Sequence, residues 1–303
     1  MIERKIYFLI VNYNSSELVT RLVRSIDRHS QNNYQIVIVN NSPEDRDILE
    51  LNNDSTKIIF VAKNLGFGCA CNLGLNWIYS KSSRSIVWLI NPDAYFDSSR
   101  VNSQISAIDR AISFFQKHPQ ISILGTAIYN SLGQIDSMGG TFIPNSAAIK
   151  IINSLPKNLS QEYEPTDWVS GCSLLINLAN FTEVPQFDSR YFLYYEDLDF
   201  CLRCARQGHQ IAVTHLLKVI HDTSSITNRN ILQKYRHITQ SYLIHIEKYG
   251  STKVFVLTNI RMLLNTIRLL IFKPPQGLGK LIGIYEYWQN RINRYIAIYH
   301  LHK

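Results

Sequence analysis

Acidic residues all but vanish from the last quarter of this sequence: residues 231–303 hold two, against 11 Lys and Arg. Residues 1–230 are nearly balanced, with 21 Asp and Glu against 20 Lys and Arg, so the net charge of +8 belongs to the C-terminal region. A basic tail points to an anionic partner, either nucleic acid or an acidic membrane surface. No nucleic acid is expected, because long aliphatic runs separate the cations where aromatic or recognition elements would be needed.

Other absences narrow the class further. The apolar run in "MIERKIYFLIVNYN" is too short and too soon interrupted for a signal peptide. The most apolar segment, "VFVLTNIRMLLNTIRLLIF", carries Arg261 and Arg268, so no simple membrane span is expected. Five cysteines without an export signal imply free thiols and a cytoplasmic location. Cys69/Cys71 and Cys201/Cys204 sit in helical apolar patterns without the turn of a zinc knuckle, and read as small buried hydrophobes. There is no dinucleotide fingerprint, since Cys71 stands where G-x-G-x-x-G needs its third glycine, and no Gly-Lys-Ser/Thr of a P-loop.

What is present alternates regularly. "KIYFLIVNY", "YQIVIVNNS", "KIIFVAKN" and "SIVWLINPD" read as buried strands, and "SSELVTRLVRSIDRH" and "GFGCACNLGLNWIYS" as helices between them. "PEDRDILE" reads as an acidic helix start. Apolar strands separated by helices predict a mostly parallel sheet covered on both faces. Ligands of such sheets bind at the carboxyl ends of the strands, where Asn12, Asn40, Asn64 and Asp93 fall. "YNSLGQIDSMGG" reads as a hairpin turning at Gly133, and "HQIAVTHLLKVIHD" as one or two short strands. From about residue 226 the pattern is helical, broken at "KPPQG".

Four places could carry chemistry. The glycine-bearing turn at Gly66 would present backbone N–H groups to an anion, or would serve close helix packing. Asp93, after a rigid proline at a strand end, would suit Mg²⁺ or Mn²⁺, or would cap the next turn. His221 ends a strand and is a ligand only if a second one lies near. Glu196, Asp197 and Asp199 open a helix whose buried face would be Leu198, Cys201, Leu202 and Ala205. Asp199 makes an i,i+4 pair with Arg203; Glu196 and Asp197 suit the helix dipole, yet the surrounding tyrosines would raise a carboxylate towards useful basicity.

Eight segments, in this order, resemble the inverting family 2 glycosyltransferases, most closely the rhamnosyltransferase-like branch of bacterial surface-polysaccharide synthesis. They are "VNYNS" (11–15), "VNNS" (39–42), "NLGFGCACNLG" (64–74), "WLINPDA" (88–94), "DSMGG" (136–140), "WVSGCSLLI" (168–176), "YFLYYEDLDFCLR" (191–203) and "IHDTSS" (220–225). The resemblance implies a GT-A fold, a Rossmann-like α/β sheet that binds a nucleotide-diphosphate sugar, over residues 1–225. It implies that Val11, Tyr13 and Asn40 hold base and ribose, and that Asn64, Gly66 and Asn72 line the nucleotide and diphosphate. The family's D-x-D metal motif reads Asn91-Pro92-Asp93, leaving Asp93 as its only carboxylate, with His221 at a further metal position. Asp197 falls on the catalytic base, Glu196 beside it, and Trp168 and Gly171 lie against donor sugar and acceptor. The sequence departs from the family at Val39-Asn40-Asn41, where many members carry an aspartate before the asparagines, which bears on how base or ribose is gripped and on the choice of nucleotide. The expected donor is dTDP-rhamnose; a UDP-sugar carrying galactofuranose, glucose or N-acetylglucosamine is the alternative, and a sugar-nucleotide binder without catalysis another.

The tail, 226–303, completes the expectations. As a helix, Ser251–Lys273 gathers Thr258, Arg261, Asn265 and Arg268 on one side and Leu257, Ile260, Leu263, Leu264, Ile267 and Ile271 on the other. Such a helix would meet an anionic membrane carrying a lipid-linked glycan acceptor, or would cap the domain or a homodimer partner.

Overall fold

The computed structural model describes residues 5–28, 34–96, 106–222 and 230–301. Along the chain run β1 (Ile6–Asn12), α1 (Ser16–Arg28), β2 (Tyr34–Asn40), β3 (Thr56–Phe60), α2 (Phe67–Lys81), β4 (Ile86–Ile90) and β5 (Ala94–Tyr95). Next come α3 (Ala107–Lys117), β6 (Ile121–Tyr129), β7 (Ile135–Ser137), β8 (Gly140–Ile143), β9 (Ala148–Ile151), β10 (Glu164–Pro165) and β11 (Ser173–Asn177). Then follow α4 (Glu196–Arg206), β12 (Gln210–His221), α5 (Ile231–Tyr249), α6 (Thr252–Phe272) and α7 (Pro274–Leu301).

The main sheet has the order β10-β12-β6-β11-β4-β1-β2-β3, with β5 on β12 and β7 on β6. β1 pairs in parallel with β2 and β4, β2 with β3, and β6 with β12, while β11 runs antiparallel between β4 and β6. β1 and β4 are buried at every position, as expected of strands covered on both faces. Phe8, Trp88, Leu22, Ile26 and Phe115 fill one side of the sheet; Leu9, Leu89, Cys71, Leu75 and Phe200 fill the other.

The chain divides into two compact units. The first comprises Met1–Phe142, Ile149–Ser189 and Asp197–Ile226, and holds the main sheet. The second comprises Ile143–Ala148, Arg190–Glu196 and Thr227–Lys303. In it α5, α6 and α7 gather around Leu243, Ile244, Met262, Ile284 and Tyr287, joined by Tyr191. Gly279 and Gly283 let α7 approach the Leu232 and Arg236 carbonyls of α5 so closely that a Cβ would collide. His245 Nε2 meets the Ala147 carbonyl at 2.8 Å, and Ser241 Oγ donates to the Leu193 carbonyl at 2.8 Å. Two short segments from the middle of the sequence are thereby built into the helical unit.

Several expectations change. "PEDRDILE" yields only a 3-10 turn over Asp47–Leu51. β12 is one long strand, with its register broken between Thr214 and Lys218. Ala205 is exposed and Cys204 takes its place on the buried side of α4. α6 is long and apolar enough to cross a membrane by length and composition, with a mean hydropathy of 1.6, so its two arginines do not exclude that on composition alone. Residues 223–225 of "IHDTSS", and the expected 225/226 boundary, lie outside the described residues.

Candidate active site

β4 delivers its chain to the carboxyl edge of the sheet, where Asn91-Pro92-Asp93 turns into β5. The Asn91 N–H donates to the Cys172 carbonyl at 2.9 Å, and the Ala94 N–H closes the turn on the Asn91 carbonyl at 3.0 Å. β5 pairs antiparallel with the end of β12, setting Ala94 opposite His221. That pairing brings His221 Nε2 to 3.1 Å from Asp93 Oδ1, although 128 positions separate the two residues. Burial alone would push the imidazole pKa down; the Asp93 carboxylate and the Cys172 thiol outweigh it and hold it up at about 10. Beside them Asn91 Oδ1 is buried with no hydrogen-bond partner. A carboxylate, an imidazole and an orphaned amide oxygen suit a hard divalent cation that completes its shell with substrate phosphates. Among the described residues no group of three or more His, Cys, Asp or Glu side chains could hold a metal by itself.

Asp197 stands in the first turn of α4. Its Oδ2 accepts from the Gly171 N–H at 2.8 Å and its Oδ1 from the Leu198 N–H at 2.7 Å. A side chain at Gly171 would press on Asp197: an added Cβ would lie 3.3 Å from the Asp197 Cβ and 3.5 Å from Oδ2. Burial raises the Asp197 pKa, opposed by the Gly171 and Leu198 N–H groups and by the Trp168 indole. The indole N–H nevertheless completes no hydrogen bond and is buried, so a donor points into this neighbourhood without a protein acceptor. The buried Cys172 thiol feels His221, Asp93 and Asp197 together, which locates the three around it. Glu196, by contrast, is buried in the second unit with Tyr191 and Tyr195, and Asp199 is fully buried in its ion pair with Arg203 at 2.7 Å.

Amides dominate the carboxyl ends of β1 and β2. Val11 is buried at the end of β1 and Tyr13 is exposed just beyond it. Asn12 Nδ2 donates to Asn40 Oδ1 and to Asp45 Oδ2, both at 3.0 Å, and Asn40 Nδ2 donates to the Asp45 carbonyl at 3.0 Å. Asn40 is therefore fully engaged by protein groups at the end of β2. The hydrogen bonds from Ser16 and Asn12 lower the Asp45 pKa against the upward push of its burial. Asn41, which the sequence did not single out, donates to Asn64 Oδ1 at 2.8 Å and accepts from the Leu65 N–H at 2.9 Å. Gly66 precedes α2 at φ +82, and no side chain caps the helix end, a geometry that suits an anion at the first-turn N–H groups. The Asn72 carboxamide grips both backbone groups of Phe187, at 2.9 and 2.7 Å, so it fastens a wall.

The model of the family described as glycosyl transferase family 2 matches residues 7–137, the region that carries Asn12, Asn40, Gly66 and Asp93. Over those residues the chain is similar to glycosyl transferase family 2. It is 24% identical over 216 residues to a low-salt glycan biosynthesis hexosyltransferase of Haloferax volcanii, covering 71% of this chain and 66% of that protein. It is also 24% identical over 198 residues to the N-acetylglucosaminyl-diphospho-decaprenol L-rhamnosyltransferase of Mycobacterium tuberculosis, covering 58% and 62%. Each match spans just under two thirds of the relative's length. Both relatives are sugar transferases by name, one a hexosyltransferase and the other an L-rhamnosyltransferase. The structure of a mannosyltransferase from Pyrobaculum calidifontis, in complex with GDP-Man and Mn²⁺, superimposes with a TM-score of 0.53 at 11% identity, over 95% of this chain and 88% of that one. That likeness shows the GT-A fold.

The sequence missed Asp45, Asn41 and Cys172. The first two lie within five positions of Asn40, so an acid and a second amide just past a strand end were the available signal. Cys172 had none, because its role comes from the antiparallel placing of β11 beside β4.

Proposed function

We propose that the protein is an inverting, metal-dependent glycosyltransferase that moves L-rhamnose from dTDP-rhamnose to a hydroxyl of a glycan or lipid-linked glycan. Residues 1–225 would be the catalytic domain. The basic region 226–303 would make peripheral contact with an anionic membrane on the cytoplasmic side, and a homodimer through that region is the competing arrangement. The observation that carries the reading is the Asp197 carboxylate, pinned by two N–H groups and raised in pKa, in the same unit as the Asp93–His221 pair. A base must be fixed in place and sufficiently basic, and this carboxylate meets both conditions.

Asp197 takes the proton of the acceptor hydroxyl while that oxygen bonds to the anomeric carbon from the face opposite the leaving group. The anomeric carbon–oxygen bond to the nucleoside diphosphate breaks in the same step, so the configuration inverts. Trp168 supplies its unused indole N–H to a sugar oxygen, and Gly171 keeps the space in which Asp197 and acceptor meet. Val11, Tyr13 and the Asn12–Asn40–Asp45 floor hold the base and ribose. Asn64 and Asn72 fix the walls, and the uncapped N–H groups after Gly66 face the diphosphate. Asp93 and His221, with the Asn91 amide oxygen, would hold Mg²⁺ or Mn²⁺, which when bound neutralises charge on the diphosphate. Glu196 would orient the acceptor.

The test is a pair of variants assayed for nucleotide-sugar turnover. Asp197→Asn should lose about 10²–10⁴-fold, the usual contribution of a general base, while Glu196→Gln should lose less. Near-full turnover in Asp197→Asn with none in Glu196→Gln would reverse the two assignments.

A further inference from the structure

We propose that the exposed faces of α6 and α7 form a docking surface for an anionic phospholipid bilayer, with α6 lying along the headgroup–acyl boundary and not across the membrane. This deepens the reading above by naming the surface that would meet the membrane. On α6, Ile260, Leu264, Ile267 and Ile271 recur every three or four positions and stand in solvent; Leu264 is 64%, Ile271 69% and Phe272 75% exposed. On α7, Leu278, Leu281, Tyr285, Trp288 and Ile292 repeat the spacing, again exposed. Apolar stripes of this extent, unlike scattered single residues, mark an interaction surface. The other side of α6 is occupied: Met262 and Thr266 are buried, and Met262 packs with Leu243, Ile284 and Tyr287. Crossing a membrane would strip away those contacts and carry Arg261 into hydrocarbon, so the helix suits the plane of the surface.

Charge selects the occupant. The only acidic residues in 231–303 are Glu247 and Glu286. Glu286 is held by Arg236, and Glu247 by Arg291 and Arg294, each at 3.2 Å. Arg261, Arg268 and Lys273 stay exposed beside the α6 stripe. A second copy docking through the same patch would bring cations against cations, because an isologous interface meets itself. Anionic headgroups supply the missing counter-charge, and arginine stems span the distance from apolar boundary to headgroup. Tyr285 and Trp288 are side chains that favour that boundary.

Flotation of the full chain with phosphatidylcholine vesicles, and with phosphatidylcholine–phosphatidylglycerol vesicles, tests this. The wild type should float with the anionic vesicles, less so in high salt. Leu264→Glu/Ile271→Glu and Arg261→Glu/Arg268→Glu should each lose about tenfold or more, since each cation near such a surface is worth roughly fivefold in binding. Equal flotation of wild type and both variants, retention of the wild type through alkaline carbonate extraction, or a vesicle-indifferent dimer dissolved by Leu264→Glu would overturn the proposal. Thermal stabilisation by nucleoside diphosphate on the same samples keeps the two readings apart. Variants that lose flotation but keep the stabilisation support the surface. A wild type that floats yet answers no nucleotide leaves the surface standing and sinks the transferase reading.

Discussion

Asp197 combines two demands that oppose each other. A carboxylate drawn out of water prefers its proton, and here burial raises its pKa against the Gly171 and Leu198 N–H groups. The folded protein therefore binds that proton more tightly than the unfolded chain, and the stabilisation present at low pH is lost as pH rises through the raised value. The wild type should therefore lose stability relative to Asp197→Asn, whose amide does not titrate, as pH rises through that value, while the variant loses turnover. The acid limb of kcat/KM should also lie above the ordinary aspartate value of 3.8. For His221 the shift runs from 6.5 up to about 10, so in metal-free protein its pairing with Asp93 stabilises fully below pH 6.5 and fades as pH rises through about 10. Thermal melts from pH 6 to pH 10 should show that slope in the wild type and a flatter one in His221→Gln. Sequence made Asp93, Asp197 and His221 legible because each stands at the end of a strand or start of a helix. It could not show that Asn40 and Asn72 are engaged by protein groups, since a carboxamide's partners come from strands and loops distant in sequence.

Elements were read well where apolar strands and helices alternate regularly, from β1 through the amphipathic α1 to β4. β1 to β4 declared themselves as short buried runs, whereas α3 and the nine-residue β6 drew no reading. α3 had its signal, a Ser106 hydroxyl that accepts from the Asp109 N–H at its N-terminus, a pattern easily lost among serines. For α6 the periodicity gave the apolar stripe but left open whether it would be exposed or packed; burial of Met262 and Thr266 depends on α5 and α7, which no helical wheel contains. The close crossing of α7 on α5 belongs to the same scale. Gly283→Ala should cost about 1–3 kcal/mol, the usual penalty of overpacking, and appear as a lower urea midpoint with an unchanged slope, because its Cβ would strike the Arg236 backbone. A variant as stable as the wild type would mean that the two helices part without loss.

At the scale of the whole molecule, the sheet elements end with β12 at His221 and the helices begin with α5 at Ile231, while the boundary expected at 225/226 lies outside the described residues. The interleaving escaped it: Ile143–Ala148 and Arg190–Glu196 belong with the helices, and Glu196 and Asp197, neighbours in sequence, fall in different units. Only three-dimensional packing decides such an exchange. The central claim is that the sheet unit binds a nucleoside diphosphate through its strand ends, together with a divalent metal. Its most direct test is the thermal shift of the full chain with Mn²⁺ and, in turn, dTDP, UDP, GDP, CMP and NAD, repeated on Asp93→Ala/His221→Ala. A ligand at 100 times its Kd should stabilise the protein by about 2.7 kcal/mol. Metal-dependent stabilisation by dTDP above UDP, lost in the double variant, is the predicted result; UDP above dTDP would shift the donor to a UDP-sugar. No response to any nucleoside diphosphate with metal present would contradict the account.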